Sequence, residues 1–514
     1  MVRSYRRKRG NSKRRLSYRQ RTRAAALLGV ERLEPRWVLS TNVLSYHMDA
    51  QSTGVNNTET LLTPGNVNTT TFAKTFSTPL DGQAYAEPLY VSGLNITTGN
   101  FQGVHNTVFA ATEHDGLYAI DSMGGNVLWY DSFLNPALGA GIAGATSITS
   151  VPNGEVNSND INPEIGITGT PTIDLSQNAL FVITKTKQIV PVGTVNHTHY
   201  VATLFKINIQ NGAVIASHII GDTDFTNGAY TYRTQTSASD PNQDPFVFGN
   251  GSGAITLPGQ TQSRVYFNAL RQMSRPGILL FNGQIYTEWA SHGDNGPYHG
   301  WVLRFDENTL ALTAALNTTP NGGLGGIWQG GDIMTMDPHL DASGNPLFYF
   351  MTGNGTFDGN YSGTSPNGTT TGLNAQGFPV NGDYGDSFVK IGFDTTTQAN
   401  QNINGWGLKV VDYFSPQNNH TLDGGDTDLG SGGTTILPDS VGSAAHPHLL
   451  IGTGKEGKIY LIDRDNMGKF DPNNVVTDAV VEEQHELSGD LNAAAYFNNT
   501  IYYVPGYNND TAKT

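Results

Sequence analysis

The densest group of side chains that could bind a metal ion or transfer protons lies in residues 291–299. This segment reads Ser-His-Gly-Asp-Asn-Gly-Pro-Tyr-His, so two imidazoles and one carboxylate fall within nine residues. These groups bind zinc and related ions in proteins. The spacing is neither the i, i+4 repeat of a helix nor a tight ligand motif, and it favours a polar loop that lines a central channel. The His-Pro-His sequence at 446–448 is a weaker example of the same pattern.

Several reaction classes find no support in the residues. The chain has no cysteine, which excludes disulfides, thiolate metal sites and a cysteine nucleophile. Residues 139–144 match the Gly-x-Gly-x-x-Gly pattern of dinucleotide-binding proteins, but they belong to no βαβ unit, so we discount the match. The β-rich part of the chain has no phosphate-binding loop, no His-Glu-x-x-His and no Gly-x-Ser-x-Gly sequence. Hydrolases of those kinds are therefore not supported.

Charge is distributed very unevenly along the chain. The first 36 residues carry 13 of the 29 lysines and arginines but only two of the 44 acidic residues, so the remainder is strongly acidic. An acidic body argues against nucleic acid as a partner, because phosphate binding needs basic surface. We interpret residues 1–40 as a basic export leader and expect a secreted, cell-surface or periplasmic protein. The alternative for this segment is a nucleic-acid-binding arm.

The leader has only a short apolar stretch, residues 24–30, before a Leu-Glu-Pro-Arg-x-x-Leu-Ser pattern that ends at Ser40. This pattern resembles leaders of large surface or secreted proteins from certain environmental bacteria. The apolar stretch is too short to cross a membrane, and no other segment approaches 18 apolar residues. We therefore expect no transmembrane segment, and we assign residues 41–75 to a linker.

Composition favours an all-β fold for the rest of the chain. There are 61 glycines and 24 prolines, and only 14% of residues are charged. No long stretch has apolar residues at the i, i+3, i+4, i+7 spacing of an amphipathic helix. Tyrosine and phenylalanine, 22 of each, suit half-buried pleated surfaces together with valine, isoleucine and threonine.

Internal repetition predicts how these strands are organised. Residues 107–129 contain a strand, a polar turn, an alternating strand that ends in Asp121, a glycine turn and another strand. The same plan recurs later in the chain, at residues 179–215, 283–306, 347–391, 448–463 and 493–504. Such units bury their faces by packing radially, which predicts a β-propeller of four-stranded blades over residues 76–514. We expect seven or eight blades, the last of them truncated; the alternative is an extended array of β-sandwiches.

Three segments sharpen this prediction to a family. They are Gly325–Pro338 with the Phe348–Gly355 strand end, Gly296–Asp306, and the Lys455–Asn466 hairpin. Together with the repeats, which cover about residues 75–510, they resemble the quinoprotein alcohol dehydrogenases, propellers that bind pyrroloquinoline quinone (PQQ) and calcium. The resemblance implies a quinone on the propeller axis, stacked on a tryptophan beside a calcium ion and an aspartate base.

The resemblance assigns a role to individual residues of this chain. Trp328 would be the platform on which the quinone stacks, and Lys455 would donate a hydrogen bond to the quinone oxygens. Asp426 would be the base that takes the proton of the alcohol, with Asp428 as a rival. Asn354 would be a calcium ligand through its side-chain oxygen.

The chain also departs from the family pattern. The acidic calcium ligand of the family falls on or near Asn295, beside Asp294, and a neutral ligand weakens calcium binding. The adjacent-cysteine disulfide of many members is absent because there is no cysteine.

Each assigned residue also has a purely structural interpretation. Trp328 could pack at a blade junction, Asn354 could be a turn residue with positive φ, and Lys455 could be a solvated hairpin lysine. Asp426 and Asp428 could cap a loop.

Two functions from different classes follow from these observations. The first is an exported, non-catalytic propeller that binds a protein or a small molecule on its loop-rich rim. The alternative is a PQQ- and calcium-dependent alcohol or sugar dehydrogenase. No cofactor is certain from the sequence. The missing acid and the absent cysteines favour the first function, whereas the matched loops in successive blades favour the second.

Overall fold

The structure, a computed structural model, describes residues 41–138, 141–234, 243–360, 372–472, 477–485, 487–489 and 491–504. The predicted leader, residues 1–40, lies outside this part, as do the first two residues of the dinucleotide-like motif at 139–144. The described residues form 29 strands and only short helices, which confirms the predicted all-β class. Among them, no helix has the length and apolar character needed to cross a membrane.

The first sheet is a four-stranded antiparallel meander in chain order. Its strands are β1 (Leu89–Ile96), β2 (Gly103–Ala111), β3 (Gly116–Asp121) and β4 (Val127–Ser132). The two central strands pair from Thr107 with Asp121 to Ala111 with Leu117. This is the strand, turn and alternating strand that the sequence predicts for the first repeat.

The second sheet has the longest strands. Its strands are β5 (Ser147–Pro152), β6 (Glu164–Ile165), β7 (Thr172–Asp174), β8 (Ala179–Val192), β9 (Val195–Asn208), β10 (Val214–Thr226) and β11 (Ala229–Tyr232). β8 pairs with the short strand β7 over its first residues and with β5 over its later residues. The β8–β9–β10 meander therefore extends beyond the end of β7. A separate two-stranded ladder follows, made of β12 (Phe246–Phe248) and β13 (Arg264–Tyr266).

The third and fourth sheets follow the same antiparallel plan. The third contains β14 (Gln272–Met273), β15 (Leu279–Phe281), β16 (Gln284–Ser291), β17 (Trp301–Asp306) and β18 (Leu312–Asn317), extended by β22 (Gly405–Trp406). The fourth contains β19 (Thr335–Met336), β20 (Leu347–Met351), β21 (Phe388–Phe393) and β23 (Leu408–Phe414). The loop between β20 and β21 is described except for residues 361–371.

Two further sheets complete the described strands. The fifth contains β24 (Thr434–Ile436), β25 (Leu449–Thr453), β26 (Lys458–Asp463) and β27 (Glu482–His485), and the last contains β28 (Ala495–Phe497) and β29 (Thr500–Tyr502). The short helices are Pro136–Leu138, Asn153–Val156, Gln329–Gly331, Asp358–Asn360, Asn419–Gly424, Leu429–Ser431 and Asp439–Val441.

Each sheet packs face to face on the next one in the chain. Phe133, which follows the first sheet, meets Phe205 of the second with ring centroids 4.5 Å apart. Tyr286 of the third sheet meets Phe348 of the fourth at 4.8 Å. The same kind of contact joins the fourth and fifth sheets. The sheets inside this series thereby bury both of their faces, as the repeat pattern predicts.

The segment from Val43 to Thr53 is hydrogen-bonded to one strand in each of five sheets, namely β1, β7, β19, β24 and β28. Eleven residues span at most about 36 Å, so these strands lie close together. The backbone hydrogen bonds join Val43 with Tyr90, Leu44 with Ile173, Ala50 with Met336, Gln51 with Ile436, and Thr53 with Tyr496. The predicted linker is therefore hydrogen-bonded to the body of the fold in its first part.

One side chain of this segment also bonds to the interior. The Ser52 hydroxyl donates to Asp332 Oδ1 at 2.5 Å, and both residues are fully buried. Burial raises the pKa of the Asp332 carboxyl well above its usual range. The other oxygen of that carboxyl, Oδ2, has no hydrogen-bond partner.

We expect Ser52→Ala to destabilise the fold by about 1 kcal/mol, because it removes one of the two hydrogen bonds to the buried Asp332 Oδ1, the other being donated by the Ile333 N–H. Urea unfolding followed by circular dichroism measures the change. Ser343→Ala, on an exposed loop, is the control and should stay within about 0.5 kcal/mol of the unmodified protein. Equal midpoints for both variants would mean that the Ser52–Asp332 hydrogen bond contributes nothing measurable to stability.

Candidate functional site

A cavity of about 500 Å³ receives residues from loops that belong to all six sheets. The lining residues are Tyr85, Asp160, Ile161, Met273, Arg275, Gly293, Asp294, Trp328, Gly330, Asp426, Asp428, Ser431, Lys455 and Leu491. Three of the five predicted site residues, Trp328, Asp426 and Lys455, are among them. A fourth, Asn354, is hydrogen-bonded to Asp426 and Asp428. The structure thus brings together four residues that lie far apart in the sequence.

Trp328 is fixed in the cavity wall by close packing. Its indole nitrogen donates to the Ser291 carbonyl at 3.1 Å, and its ring meets Tyr298 edge-on at 6.0 Å. Gly326 and Gly353 lie against the ring, and a Cβ at either position would come within 2.8 Å of an indole carbon. These glycines let the backbone approach the indole closely. Trp328 is therefore a packing residue and a cavity-lining residue at the same time.

Asn354 connects the two aspartates of the cavity. Its backbone N–H donates to Asp428 Oδ1 and its side-chain Nδ2 donates to Asp426 Oδ1, both at 2.8 Å. The residue is 2% exposed, and its Oδ1 has no hydrogen-bond partner. Asn354 is not among the residues with positive φ, whereas Asp426 has φ 51°. The interpretation of Asn354 as a left-handed turn residue is therefore wrong.

Lys455 neutralises the buried carboxylate of the cavity. Its Nζ lies 2.6 Å from Asp428 Oδ2 and 3.4 Å from Asp426 Oδ1. Although Lys455 lies between β25 and β26, its side chain is only 18% exposed, so it is not a solvated hairpin lysine. Burial alone would lower its pKa, but the carboxylates of Asp428 and Asp426 together outweigh burial and raise the pKa of Lys455 above its ordinary value. The ammonium therefore stays charged.

The two aspartates differ in environment. Burial raises the pKa of Asp428, and this effect exceeds the opposing effects of the Lys455 ammonium and the Asn354 N–H. The Asp426 side chain is 71% exposed, compared with 10% for Asp428. Asp426 is thus a carboxylate held by Asn354 at the open side of the cavity, and Asp428 is the ion-pair partner beneath it.

Asn295 lies apart from these four residues. Its Nδ2 donates to the carbonyls of Asn157 at 3.1 Å and His292 at 2.9 Å, which holds the loop in shape. The neighbouring Asp294 lines the cavity and accepts a 2.6 Å hydrogen bond from the Tyr298 hydroxyl. The acidic group that this loop brings to the cavity is therefore Asp294.

The histidines of residues 291–299 do not form a metal site. His292 is buried against the Lys185 ammonium at 2.8 Å, and burial lowers its pKa well below the usual range. His299 is buried between Thr319 and Ser252, and burial lowers its pKa to about 4. Neither belongs to a metal-binding cluster among the described residues, so the metal interpretation of this segment is wrong. Of the predicted polar loop, Gly293 and Asp294 line the cavity, whereas both histidines are buried.

Sequence reasoning missed several cavity residues, above all Arg275 and Asp160. Arg275 donates to the Gly330 carbonyl at 2.8 Å and is a second cation in the cavity wall, beside Lys455. It follows β14, a two-residue strand that no repeat pattern marks. Four aspartates and two basic residues line the cavity, so it is net acidic. The signal available in the sequence is a charged residue that follows a short strand, as Arg275 follows β14.

Comparisons with known proteins give distant structural likenesses. Neither a family model nor a curated protein sequence matches the chain. A quinohemoprotein alcohol dehydrogenase from Pseudomonas putida HK5 is 14% identical over 87% of this chain, with a TM-score of 0.46, and the match spans 48% of that enzyme. The quinohemoprotein alcohol dehydrogenase from Comamonas testosteroni is 12% identical over 94% of this chain and 80% of its own, with a TM-score of 0.32. A europium-containing methanol dehydrogenase is 10% identical over 76% and 69% of the two chains, with a TM-score of 0.22.

The ion pair in the cavity gives a direct test of its electrostatics. Lys455→Met removes the cation beside Asp428, and we expect a loss of about 2 kcal/mol because a largely buried carboxylate is left unpaired. The pKa of Asp428 should rise further. An acid whose pKa is raised in the folded state keeps its proton there at a pH where the unfolded state has already lost it, so folding becomes less favourable as the pH rises. The loss of stability caused by Lys455→Met should therefore grow from acid to neutral pH. Urea unfolding at several pH values measures it, with exposed Lys409→Met as the control. A pH-independent loss would contradict the assigned ion pair.

Proposed function

We propose that the six sheets are blades arranged around an axis, with the segment from Val43 to Thr53 at their inner edges. The stacking of each sheet on the next and the hydrogen bonds of that one short segment support this architecture. Loops from all six sheets meet at the cavity, as expected at one end of a ring. The proposal has six described blades, fewer than the seven or eight that the sequence predicts.

On this architecture, we propose that the cavity binds PQQ and calcium and that the protein is an alcohol or sugar dehydrogenase. The observation that carries the proposal is the convergence of Trp328, Asn354, Asp426 and Lys455 on one cavity. The resemblance of sequence motifs assigns these residues to one site independently of the geometry. Their convergence is the arrangement that a shared ligand would require.

The residues present fit these two ligands. Trp328 offers an aromatic wall for a planar ring, and Arg275 and Lys455 offer cations for an anionic quinone. Asn354 Oδ1 is a buried oxygen without a partner, and Asp294 and Asp426 add carboxylates nearby. Calcium prefers such oxygen ligands. When bound, the quinone supplies the acceptor for the hydride of the alcohol.

Asp426 is better placed than Asp428 to act as the base. Its carboxylate is exposed at the cavity and oriented by Asn354 Nδ2, so it can accept the hydroxyl proton of a substrate. Asp428 is mostly buried and paired with Lys455, which makes it a positioning residue. Asn354 contributes by holding both aspartates in place.

A second candidate is an exported scaffold that binds a partner without a cofactor. The specific observation in its favour concerns Asn295, which stands where the resemblance implies an acidic calcium ligand. Its uncharged amide group donates hydrogen bonds to the backbone carbonyls of Asn157 and His292. In both candidates we propose that residues 1–40 direct export and that the protein acts outside the cytoplasm.

Calorimetric titration of the full chain with PQQ, with and without calcium, distinguishes the two candidates. We expect calcium-dependent binding that Asn354→Ala weakens by about tenfold or more, because a calcium ligand is lost. Asn308→Ala, on an exposed turn, is the matched control and should bind like the unmodified protein. Absence of binding at every calcium concentration would leave the scaffold as the function.

The role of Asp426 is tested separately by Asp426→Asn. Because this change also removes a carboxylate near the proposed calcium ion, we expect weaker calcium binding, and turnover is compared at saturating calcium and PQQ. Under those conditions turnover of an alcohol should fall by about 10²–10⁴-fold, the usual contribution of a general base. Unchanged turnover in a variant that binds the cofactor would transfer the role of base to another residue.

A further inference from the structure

Two histidines on the second sheet share a face with two aspartates. His197 and His199 lie two residues apart in β9, so their side chains point to the same side of the strand. The neighbouring strand β10 places Asp224 directly opposite His199. Asp222 lies two residues away from Asp224 on that same face. None of these residues lines the cavity described above.

The donor atoms of this group are close together. His197 Nδ1 lies 2.6 Å from Asp224 Oδ2, and one donor atom from each of His197, His199 and Asp224 lies within 4.8 Å of the other two. In a tetrahedral site with bonds of the usual length, donors are about 3.4 Å apart. Small side-chain rotations would therefore bring all three within reach of one ion.

The surroundings hold the group in shape. Asp222 contacts His199 Nδ1 at 2.7 Å and fixes the orientation of that ring, a role that carboxylates commonly have beside metal-bound histidines. The backbone N–H of Asp222 donates to buried Asp244, which is paired with Arg233 at 2.8 Å. The four side chains of the group are between 9% and 31% exposed, so they are sheltered but reachable from solvent.

The carboxylates of the group favour a bound cation. Asp222 and Asp224 each bring one, and no lysine or arginine of the described residues forms an ion pair with either of them. Imidazole ligands favour zinc, copper and nickel over calcium and magnesium.

We propose that His197, His199 and Asp224 bind a divalent transition metal ion, with Asp222 as the orienting carboxylate. Three protein donors leave a coordination position for water or for a donor group of another molecule. The site is independent of the proposed dehydrogenase function, since it shares no residue with the cavity.

A second group of similar composition is less suited to this role. His339, Asp439 and His448 also have donor atoms within 4.8 Å of one another, which gives a partial basis to the weak sequence pattern at 446–448. However, His339 and Asp439 are nearly half exposed, and Asp439 already pairs with the buried guanidinium of Arg464 at 3.1 Å. A metal ion there would compete with a cation that is already present. This group therefore serves as the comparison.

The test is titration of the full chain, purified without a histidine tag and treated with a chelator, first with Zn²⁺ by calorimetry and then with Co²⁺ by visible absorption. We expect His197→Gln/His199→Gln to lose one equivalent of Zn²⁺ and the absorption of Co²⁺ bound to nitrogen and oxygen ligands. His339→Gln/His448→Gln is the matched control and should keep that equivalent.

Asp224→Asn is a milder change, because it keeps the size of the side chain. It tests the proposal even if the double variant does not fold. It should weaken Zn²⁺ binding by about tenfold or more, and Zn²⁺ should raise its Tm less than that of the unmodified protein. Circular dichroism without metal confirms that the variants are folded. The proposal is overturned if the unmodified protein binds no Zn²⁺, or if the folded His197 and His199 variant keeps the same stoichiometry and affinity.

Discussion

The hydrogen bonds between residues 43–53 and strands of five of the sheets are the constraint on which the arrangement depends. An edge strand has unpaired N–H and C=O groups, and leaving such groups buried without partners is costly. One short segment, rich in turns, bonds to these five strands in chain order, from Tyr90 to Tyr496. It thereby fixes how closely the sheets approach one another, and the loops that line the cavity are positioned by the same sheets.

Close packing and charge pairing together give the cavity its form. Gly326 and Gly353 let the backbone approach Trp328, so the indole is held without freedom to tilt. On the other side, Lys455 offsets the charge of Asp428, and Asn354 links Asp428 to Asp426. The aromatic wall is thus set by steric contact and the polar wall by hydrogen bonds. The sheets that present them are held together by apolar cores.

The sequence predicts the strands better than it predicts the cavity. Alternating apolar residues and glycine turns are local signals, so the repeat at residues 107–121 and its later copies could be identified directly. Only the resemblance of motifs predicted that Trp328, Asn354 and Lys455 share a site. Local patterns could not predict it, because they do not indicate which loops meet in space. Arg275 and Asp160 carry no motif at all, and their place in the cavity depends on the stacking of distant sheets. The burial of His292 and His299 could not be predicted either, because it depends on partners such as Lys185 and Thr319.

The position of residues 43–53 has a consequence for the order in which the chain can fold. This segment is synthesised before any of the strands, yet its last partner, Tyr496, is synthesised after nearly all of them. Contacts between such distant parts of a chain form slowly, because a long loop must close before they stabilise anything. The sheets can form one after another as they are made, but the full set of hydrogen bonds of this segment can form only when the final sheet is available. We therefore expect a segment that is made first to reach its native contacts last.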